Sequence, residues 1–102
     1  MELPFVFEKI GRWWGNNPAK RREEEIDILA ISKQKALFGE CKWTKVAVDM
    51  GVVNSLIEKS SILNYSQKYY AFFSRSGFTE DVIKFAKGSN NILLFELKDL
   101  IG

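Results

Sequence analysis

Two short apolar stretches of this sequence carry ionisable side chains at alternate positions. Glu25 and Asp27 lie in the first stretch, and Glu40 and Lys42 lie in the second. A tight hairpin turn through residues 33–34 would place Asp27 opposite Glu40 and Glu25 opposite Lys42. Because side chains along a strand alternate with a period of two, all four would point to one face, with opposed Cβ atoms about 5 Å apart. The sequence therefore predicts three carboxylates and one ammonium group on that face, unless a one-residue bulge alters the pairing.

The carboxylates of Asp27 and Glu40 would repel each other unless a positive charge lies between them. Mg²⁺ or Mn²⁺ held by oxygen ligands would remove that repulsion, and either ion could polarise a phosphate oxygen and activate an attacking water. Lys42 could orient that water or stabilise the negative charge that develops on phosphorus. Gly39, immediately before Glu40, indicates a close approach of the backbone. The alternative is a solvated hairpin face on which Glu–Lys pairs form without any chemistry.

The composition narrows the chemistry that these residues can support. The chain of 102 residues contains no histidine and a single cysteine, Cys41. This excludes histidine-dependent nucleases, Ser-His and Cys-His triads, an internal disulfide and nearly all zinc enzymes. Catalysis would therefore depend on carboxylates, lysine, hydroxyls or a hard metal ion. The net charge of +2 is compatible with a nucleic-acid partner without requiring one.

Length and hydropathy indicate one globular domain, residues 1–102, with 46% apolar and 27% charged residues. No apolar run approaches the roughly 18 residues that span a bilayer. The first residues lack the basic start and apolar stretch of a signal peptide. We therefore expect a cytoplasmic protein without a membrane partner, and the oligomeric state stays open, a homodimer included.

Hydrophobic periodicity and turn signals predict an α/β fold with a mixed β-sheet. A three-strand meander should be followed by a helix, a strand, a second helix and a last strand. Asp49 is suited to cap the first helix, which should end near residue 60. Thr79 should cap the second helix and Gly88 should end it, and the charged residues 19–24 are predicted to form a loop. The predicted strands cover residues 9–14, 25–31, 35–43, 68–74 and 91–95.

The spacing of the acidic and basic motifs resembles that of the PD-(D/E)XK nuclease superfamily. The resemblance rests on Glu25-Ile26-Asp27, followed about a dozen residues later by Gly39-Glu40-Cys41-Lys42-Trp43. With the addition of Ile10-Gly11-Arg12-Trp13-Trp14-Gly15, the sequence looks like the nuclease-like C-terminal domain of a family of prokaryotic, mainly archaeal, ATPases of uncharacterised function, DUF234. The likeness extends over nearly the whole chain. The Glu-x-Lys element alone is weakly specific, whereas the combination of the three motifs is more specific.

The resemblance implies a restriction-endonuclease-like core flanked by helices, and cleavage of DNA. It implies that Asp27 and Glu40 are metal ligands, that Lys42 is the catalytic lysine and that Mg²⁺ or Mn²⁺ is the cofactor. In the superfamily a first helix, often with another acidic ligand, precedes the first strand. That helix is expected to be missing here, so Glu8 could replace its ligand, and Glu25 is a second accessory candidate. The chain also lacks a glycine-rich Gly-Lys-Ser/Thr loop, so a P-loop ATPase domain or protein is an expected partner.

Further residues are candidates for contacts with nucleic acid. Lys20, Arg21 and Arg22 form a basic run that could contact phosphates, although the acidic residues that follow favour a solvated loop. Ser74 and Arg75 end a predicted strand, where crossover folds commonly place ligand contacts. The adjacent tryptophans at positions 13 and 14 must face opposite ways in a strand, so at most one could stack on a base.

Two functions of different classes fit these observations. The first is a metal-dependent endonuclease-like domain that hydrolyses phosphodiester bonds in DNA. The second is a non-catalytic nucleic-acid-binding or assembly module associated with an archaeal-type ATPase. The complete set of Asp27, Glu40 and Lys42 favours the first, and the missing first helix favours the second.

Overall fold

The computed structural model describes residues 3–19 and 21–101, and within these ranges the chain forms a mixed sheet and three helices. The strands are β1 (Lys9–Asn17), β2 (Arg22–Ser32), β3 (Lys35–Lys42), β4 (Gln67–Ser74) and β5 (Ile92–Glu96). The helices are α1 (Met50–Ser60), α2 (Glu80–Lys87) and α3 (Leu97–Ile101). None of these helices is long and apolar enough to cross a membrane. The predicted α/β order is confirmed, and α3 is an addition to it.

The strand order in the sheet follows the chain, β1-β2-β3-β4-β5. The strands β1, β2 and β3 are antiparallel, whereas β3, β4 and β5 are parallel. A parallel pair needs a crossover connection, and α1 and α2 supply the two that this half of the sheet requires. Val53 and Leu56 from α1 and Val82 from α2 lie in one buried cluster with Phe38 and Phe72 of the sheet. The two crossover helices therefore cover the same face.

Aromatic side chains cover much of the opposite face. Ala30, Leu37 and Ala71 form a smaller buried cluster there, and Phe5 and Phe7 from the segment before β1 pack against it. Because β4 and β5 are covered on both faces, their sequences are apolar at successive positions rather than at alternate ones. The described residues thus form a helix layer on a sheet, with the N-terminal segment across the second face.

The first hairpin is longer than the sequence indicates. Backbone pairing extends as far as Asn17 opposite Arg22, so residues 22–24 belong to β2 and the prediction of a loop at 19–24 is wrong for them. Ladder hydrogen bonds join backbone groups only, and charged side chains are accommodated on the exposed face of an edge hairpin. A run of charges therefore does not by itself indicate a loop.

The turn between β2 and β3 has the predicted form. Ser32 pairs with Lys35, which leaves two residues in the connection. The first of them, Lys33, has a φ of 55°, in the left-handed region that tight hairpin connections use. Pairing continues from there to Ile28 opposite Gly39, and this is the predicted register.

Candidate functional site

A β-bulge in β2 lies at the position of the predicted acidic site. Two residues of β2, Asp27 and Ile28, lie opposite the single residue Arg12 of β1. The alternation of side chains is thereby reset, and Ile26 and Leu29 both pack into the core beneath the helices. Bulges of this kind re-aim side chains and are common next to active sites. Here the bulge directs the Asp27 carboxylate toward β3.

A hydrogen bond holds Asp27 against β3. Its Oδ2 accepts from the backbone N–H of Cys41 at 3.0 Å, just beyond the last paired residues of the two strands, Ile28 and Gly39. A Cβ at Gly39 would lie 2.9 Å from the Cβ of Ile28, so a larger residue would push the two strands apart. The close approach predicted at Gly39 is therefore confirmed.

The side chain of Glu40 is only 13% exposed and lies on the same face as Phe38, two residues earlier. Burial raises the pKa of the Glu40 carboxyl, and the negative charge of Asp27 raises it further. Two cations act in the opposite direction: Lys59 from α1, and Lys42, whose Nζ lies 3.4 Å from Glu40 Oε1. The structure thus brings the three main predicted residues together, with two neighbouring carboxylates and Lys42 as the ion-pair partner of Glu40.

Glu25 does not share this face, so its predicted accessory place is wrong. The bulge puts Ile26 in the core, and its neighbour Glu25 therefore points to the other face, where it is exposed and paired with Trp14. Glu24 takes the buried position instead, and the Nε of Arg22 donates to its Oε1 at 2.8 Å. That hydrogen bond is the main reason why the pKa of the Glu24 carboxyl lies below its ordinary value despite burial.

Glu8 lies at the wrong end of the sheet to complete the site, so its predicted role as a replacement ligand is also wrong. Its backbone N–H donates to the carbonyl oxygen of Ile31 at 2.9 Å, four positions from Asp27, which is about 13 Å along the strand. The side chain of Glu8 is exposed there. Because β1 is antiparallel to β2, residues before β1 lie beside the end of β2 rather than beside its bulge.

The structure describes two of the three residues in the predicted basic run. Lys20 lies outside the described residues. Arg21 is exposed in the turn between β1 and β2, with a φ of 54°, and its contact with phosphates stays a prediction. Arg22 begins β2 and is bound to Glu24, so it is not a free loop cation.

Ser74 and Arg75 lie at the edge of the sheet beside Lys42. Ser74 pairs with Lys42 but is fully buried, and its hydroxyl donates to the carbonyl of Gly77 at 2.7 Å and accepts from the N–H of Ser76 at 3.2 Å. The predicted phosphate contact of Ser74 is therefore wrong, because the side chain shapes the turn after β4. Arg75 is exposed, and its backbone N–H donates to the carbonyl of Lys42 at 3.0 Å. Its contact with a phosphate stays a prediction.

A cavity of about 280 Å³ lies between the end of β3 and α1. Glu40 and Lys42 line it from the sheet, and Asp49, Ser55 and Lys59 are the polar residues that line it from the helix side. A larger cavity, of about 480 Å³, lies at the turn between β2 and β3 and has no carboxylate in its lining. The smaller cavity is therefore the one that adjoins the predicted residues Glu40 and Lys42.

Sequence reasoning missed Lys59. It lies seven residues after Val52 and three after Leu56, so it shares the helix face that packs toward the sheet. A lysine at a core-facing position of an amphipathic helix is the signal that could have identified it.

The donor set fits a hard divalent cation. Asp27 and Glu40 contribute two carboxylates, with one oxygen of Asp27 already bound to the N–H of Cys41. Across residues 3–19 and 21–101, no group of three or more His, Cys, Asp or Glu side chains converges as a full metal cage would require. Mg²⁺ is commonly held by one or two carboxylates and retains several waters, so two carboxylates suit it, whereas a structural zinc site needs four protein ligands.

The fold occurs in a solved structure. The crystal structure of a protein of unknown function, AF1548, superposes on this chain with a TM-score of 0.55 and 22% sequence identity, over 72% of this chain and 41% of that one. At that identity the likeness concerns the fold alone.

The comparisons of sequence identify the family. The uncharacterized protein MJECL04 of Methanocaldococcus jannaschii is 38% identical over 105 residues, which are 96% of this chain and 21% of that protein. The chain thus spans about a fifth of the length of this relative. Residues 1–53 match the model of DUF234, described as "Archaea bacterial proteins of unknown function". Because this match covers just over half of the chain and includes Asp27, Glu40 and Lys42, the chain belongs to the DUF234 family.

Proposed function

We propose that this chain is a PD-(D/E)XK-type nuclease domain, with a restriction-endonuclease-like core, that hydrolyses phosphodiester bonds in DNA with Mg²⁺ or Mn²⁺ held by Asp27 and Glu40. The observation that carries the proposal is the position of Glu40. Its carboxylate is nearly buried, lies close enough to Asp27 to be repelled by it, and is paired with Lys42.

An arrangement of this kind is electrostatically unfavourable in the absence of a further cation. Burial and the charge of Asp27 both disfavour the ionised form of Glu40, and Lys59 and Lys42 compensate only in part, so the pKa of Glu40 stays raised. Carboxyl groups with perturbed pKa values are concentrated at functional sites. A divalent cation that binds both groups would remove the repulsion.

The roles of the protein groups follow from their positions. A bound Mg²⁺ or Mn²⁺ would supply Lewis-acid stabilisation of the phosphate and a more acidic water. Asp27 is kept in one orientation by the N–H of Cys41, so little reorganisation is needed when it acts as a ligand. Lys42 is 41% exposed, and its ammonium can donate to a phosphate oxygen on which negative charge develops while it stays beside Glu40.

The second candidate is a non-catalytic nucleic-acid-binding or assembly module that serves an ATPase domain or protein. The observation that favours it is that Glu40 already has Lys42 as a counter-ion and that two carboxylates are a minimal ligand set. The short span of the chain relative to MJECL04 is also compatible with a module of a larger protein.

Nicking of plasmid, branched and single-stranded DNA in Mn²⁺ separates the two candidates. The Lys42→Ala variant should lose cleavage but keep DNA affinity within a few-fold, because the lysine is proposed to act mainly in the transition state. Lys45→Ala is the matched control, since Lys45 is an exposed lysine in the loop that follows β3. Asp27→Ala should lose cleavage and metal binding together.

Equal background cleavage by the wild type, Lys42→Ala and Lys45→Ala on every substrate would exclude the catalytic proposal and leave the binding module as the leading candidate. Identical purification of the three proteins controls for a contaminating nuclease.

A further inference from the structure

Lys59 is a second lysine of the cavity, on the wall opposite β3. It lies in the last turn of α1 and is half-buried. It lines the same cavity as Glu40, and its charge lowers the pKa of the Glu40 and Glu24 carboxyls. None of the ion pairs found among the described residues includes Lys59. The ammonium therefore faces the cavity outside those ion pairs.

The other parts of the cavity wall do not offer a better place for an anion. The N-terminus of α1 reaches the cavity, but the Oδ1 of Asp49 already accepts from the N–H of Val52 at 3.1 Å. An anion would meet that carboxylate at this end of the helix. Lys59 lies in the last turn of the helix and lines the same cavity as Lys42 at the end of β3. Positive charge thus faces the cavity from both the helix wall and the strand wall.

The volume of the cavity agrees with a small hydrated anion. At about 30 Å³ per water molecule, its 280 Å³ corresponds to roughly nine waters. Among its lining residues, Glu40 and Asp49 carry negative charge and Lys42 and Lys59 carry positive charge, so the charges balance. A divalent cation at Glu40 would make the lining positive, which suits a phosphodiester rather than a neutral or cationic ligand.

We infer that Lys59 is a substrate-binding residue whose ammonium contacts a non-bridging oxygen of a nucleic-acid backbone phosphate that enters the cavity beside Lys42. This inference rests on the proposed function for the identity of the anion. Lys59, from α1, would contact the phosphate from the wall opposite β3, while Lys42 keeps its proposed role in the transition state. A phosphate contact of this kind contributes to affinity without sequence preference.

The test is a titration of a fluorescent DNA oligonucleotide at several salt concentrations, in EDTA and again in Ca²⁺, a hard cation that takes oxygen ligands. Lys59→Met removes the charge but keeps the apolar stem that packs along the helix, and Lys59→Arg keeps the charge. Lys87→Met is the matched control, because Lys87 is an exposed lysine in the last turn of α2. Both Met variants remove a lysine charge near the C-terminus of a helix, so any effect of that charge on helix stability is shared by the two proteins. Thermal melts verify that each variant is folded.

Lys59→Met should weaken DNA affinity by about tenfold, the order expected for one charge-assisted hydrogen bond. It should also reduce the slope of log affinity against log salt by about 0.9 for duplex DNA. Lys59→Arg should restore most of both quantities, and Lys87→Met should change neither. If Lys59→Met binds like Lys87→Met, or if Lys59→Arg binds as weakly as Lys59→Met, the inference is wrong. If Lys59→Met does not fold, Lys59→Gln, which also removes the charge, takes its place with the same expected outcomes.

Cleavage in Mn²⁺ is measured separately with the same proteins. If the wild type binds DNA through Lys59 but cuts no substrate, the catalytic proposal fails and the phosphate contact stands. If the wild type cuts DNA and Lys59→Met keeps full affinity, the contact fails and the catalytic proposal stands.

Discussion

Replacement of Asp27 by asparagine tests the carboxylate pair with little change in shape. The amide oxygen can still accept from the N–H of Cys41, while the charge that raises the pKa of Glu40 is removed. In the wild type, Mn²⁺ should raise the melting temperature, because a ligand that binds only the folded state stabilises it by mass action. In Asp27→Asn that effect should be lost. The metal-free variant should be at least as stable as the wild type, because the repulsion is relieved.

The size of the effect follows from linkage. At a Mn²⁺ concentration ten times its dissociation constant, the free energy of unfolding rises by about 1.4 kcal/mol. For a chain of 102 residues, an unfolding entropy of about 2.1 cal/mol/K per residue amounts to about 0.2 kcal/mol/K. The wild-type melting temperature should therefore rise by about 7 °C.

The pH dependence has a definite sign. The folded-state pKa of Glu40 is raised above its ordinary value of 4.5, so the folded protein holds a proton more tightly than the unfolded chain. Protonation of Glu40 therefore contributes to the stability of the metal-free protein. That contribution is fully present below pH 4.5 and is lost as the pH rises through the raised pKa of Glu40. Metal binding needs the ionised carboxylate, so the shift caused by Mn²⁺ should grow over the same interval. The metal-free Asp27→Asn variant should lose less stability than the wild type as the pH rises.

The assay is thermal unfolding followed by circular dichroism in EDTA and in millimolar Mn²⁺, at several pH values. Glu25→Gln is the matched control, because it removes a carboxylate two residues earlier on the same strand but on the opposite face. It should keep the full Mn²⁺ shift. A wild-type melting temperature indifferent to Mn²⁺ would exclude the metal site. Equal shifts in Asp27→Asn and Glu25→Gln would show that the ion binds elsewhere.

Two further predictions concern the residues that support the site. Glu24→Gln should cost about 1.5 kcal/mol, since it weakens a hydrogen bond from Arg22 to a buried carboxylate. Because the pKa of Glu24 is lowered in the folded state, urea denaturation should show this difference above pH 4.5 and lose it as the pH falls below the lowered pKa. Gly39→Ala should cost about 1–3 kcal/mol, because the new Cβ would lie 2.9 Å from the Cβ of Ile28. An alanine variant with unchanged stability and unchanged Mn²⁺ response would contradict the importance of that close approach.

Local patterns in the sequence are sufficient for part of this structure. The register between β2 and β3 was predictable because a two-residue turn leaves only one pairing that keeps the apolar side chains aligned. Asp49 was predictable as a helix cap, and its carboxylate accepts from the N–H of Val52. The opposite orientations of the adjacent tryptophans also follow from alternation alone: Trp13 packs against the core and Trp14 is 65% exposed.

Other features depend on contacts between segments that are distant in the chain. The bulge arises where β2 has one residue more than β1 can pair with, so it buries Glu24, exposes Glu25 and turns Asp27 toward β3. No pattern within β2 reveals the mismatch, because it is a property of two strands.

The sequence by itself thus determined the order of the strands and helices, the register of the β2–β3 turn and the shared face of Glu40 and Lys42, because these follow from local turn chemistry and from side-chain alternation. Only the tertiary structure decided which other side chains join that group. Glu8 and Glu25 were excluded by the position of β1, and Lys59 was included by the packing of α1 over β3. These outcomes depend on how distant segments dock, and the docking minimises the free energy of the whole core rather than that of any one segment.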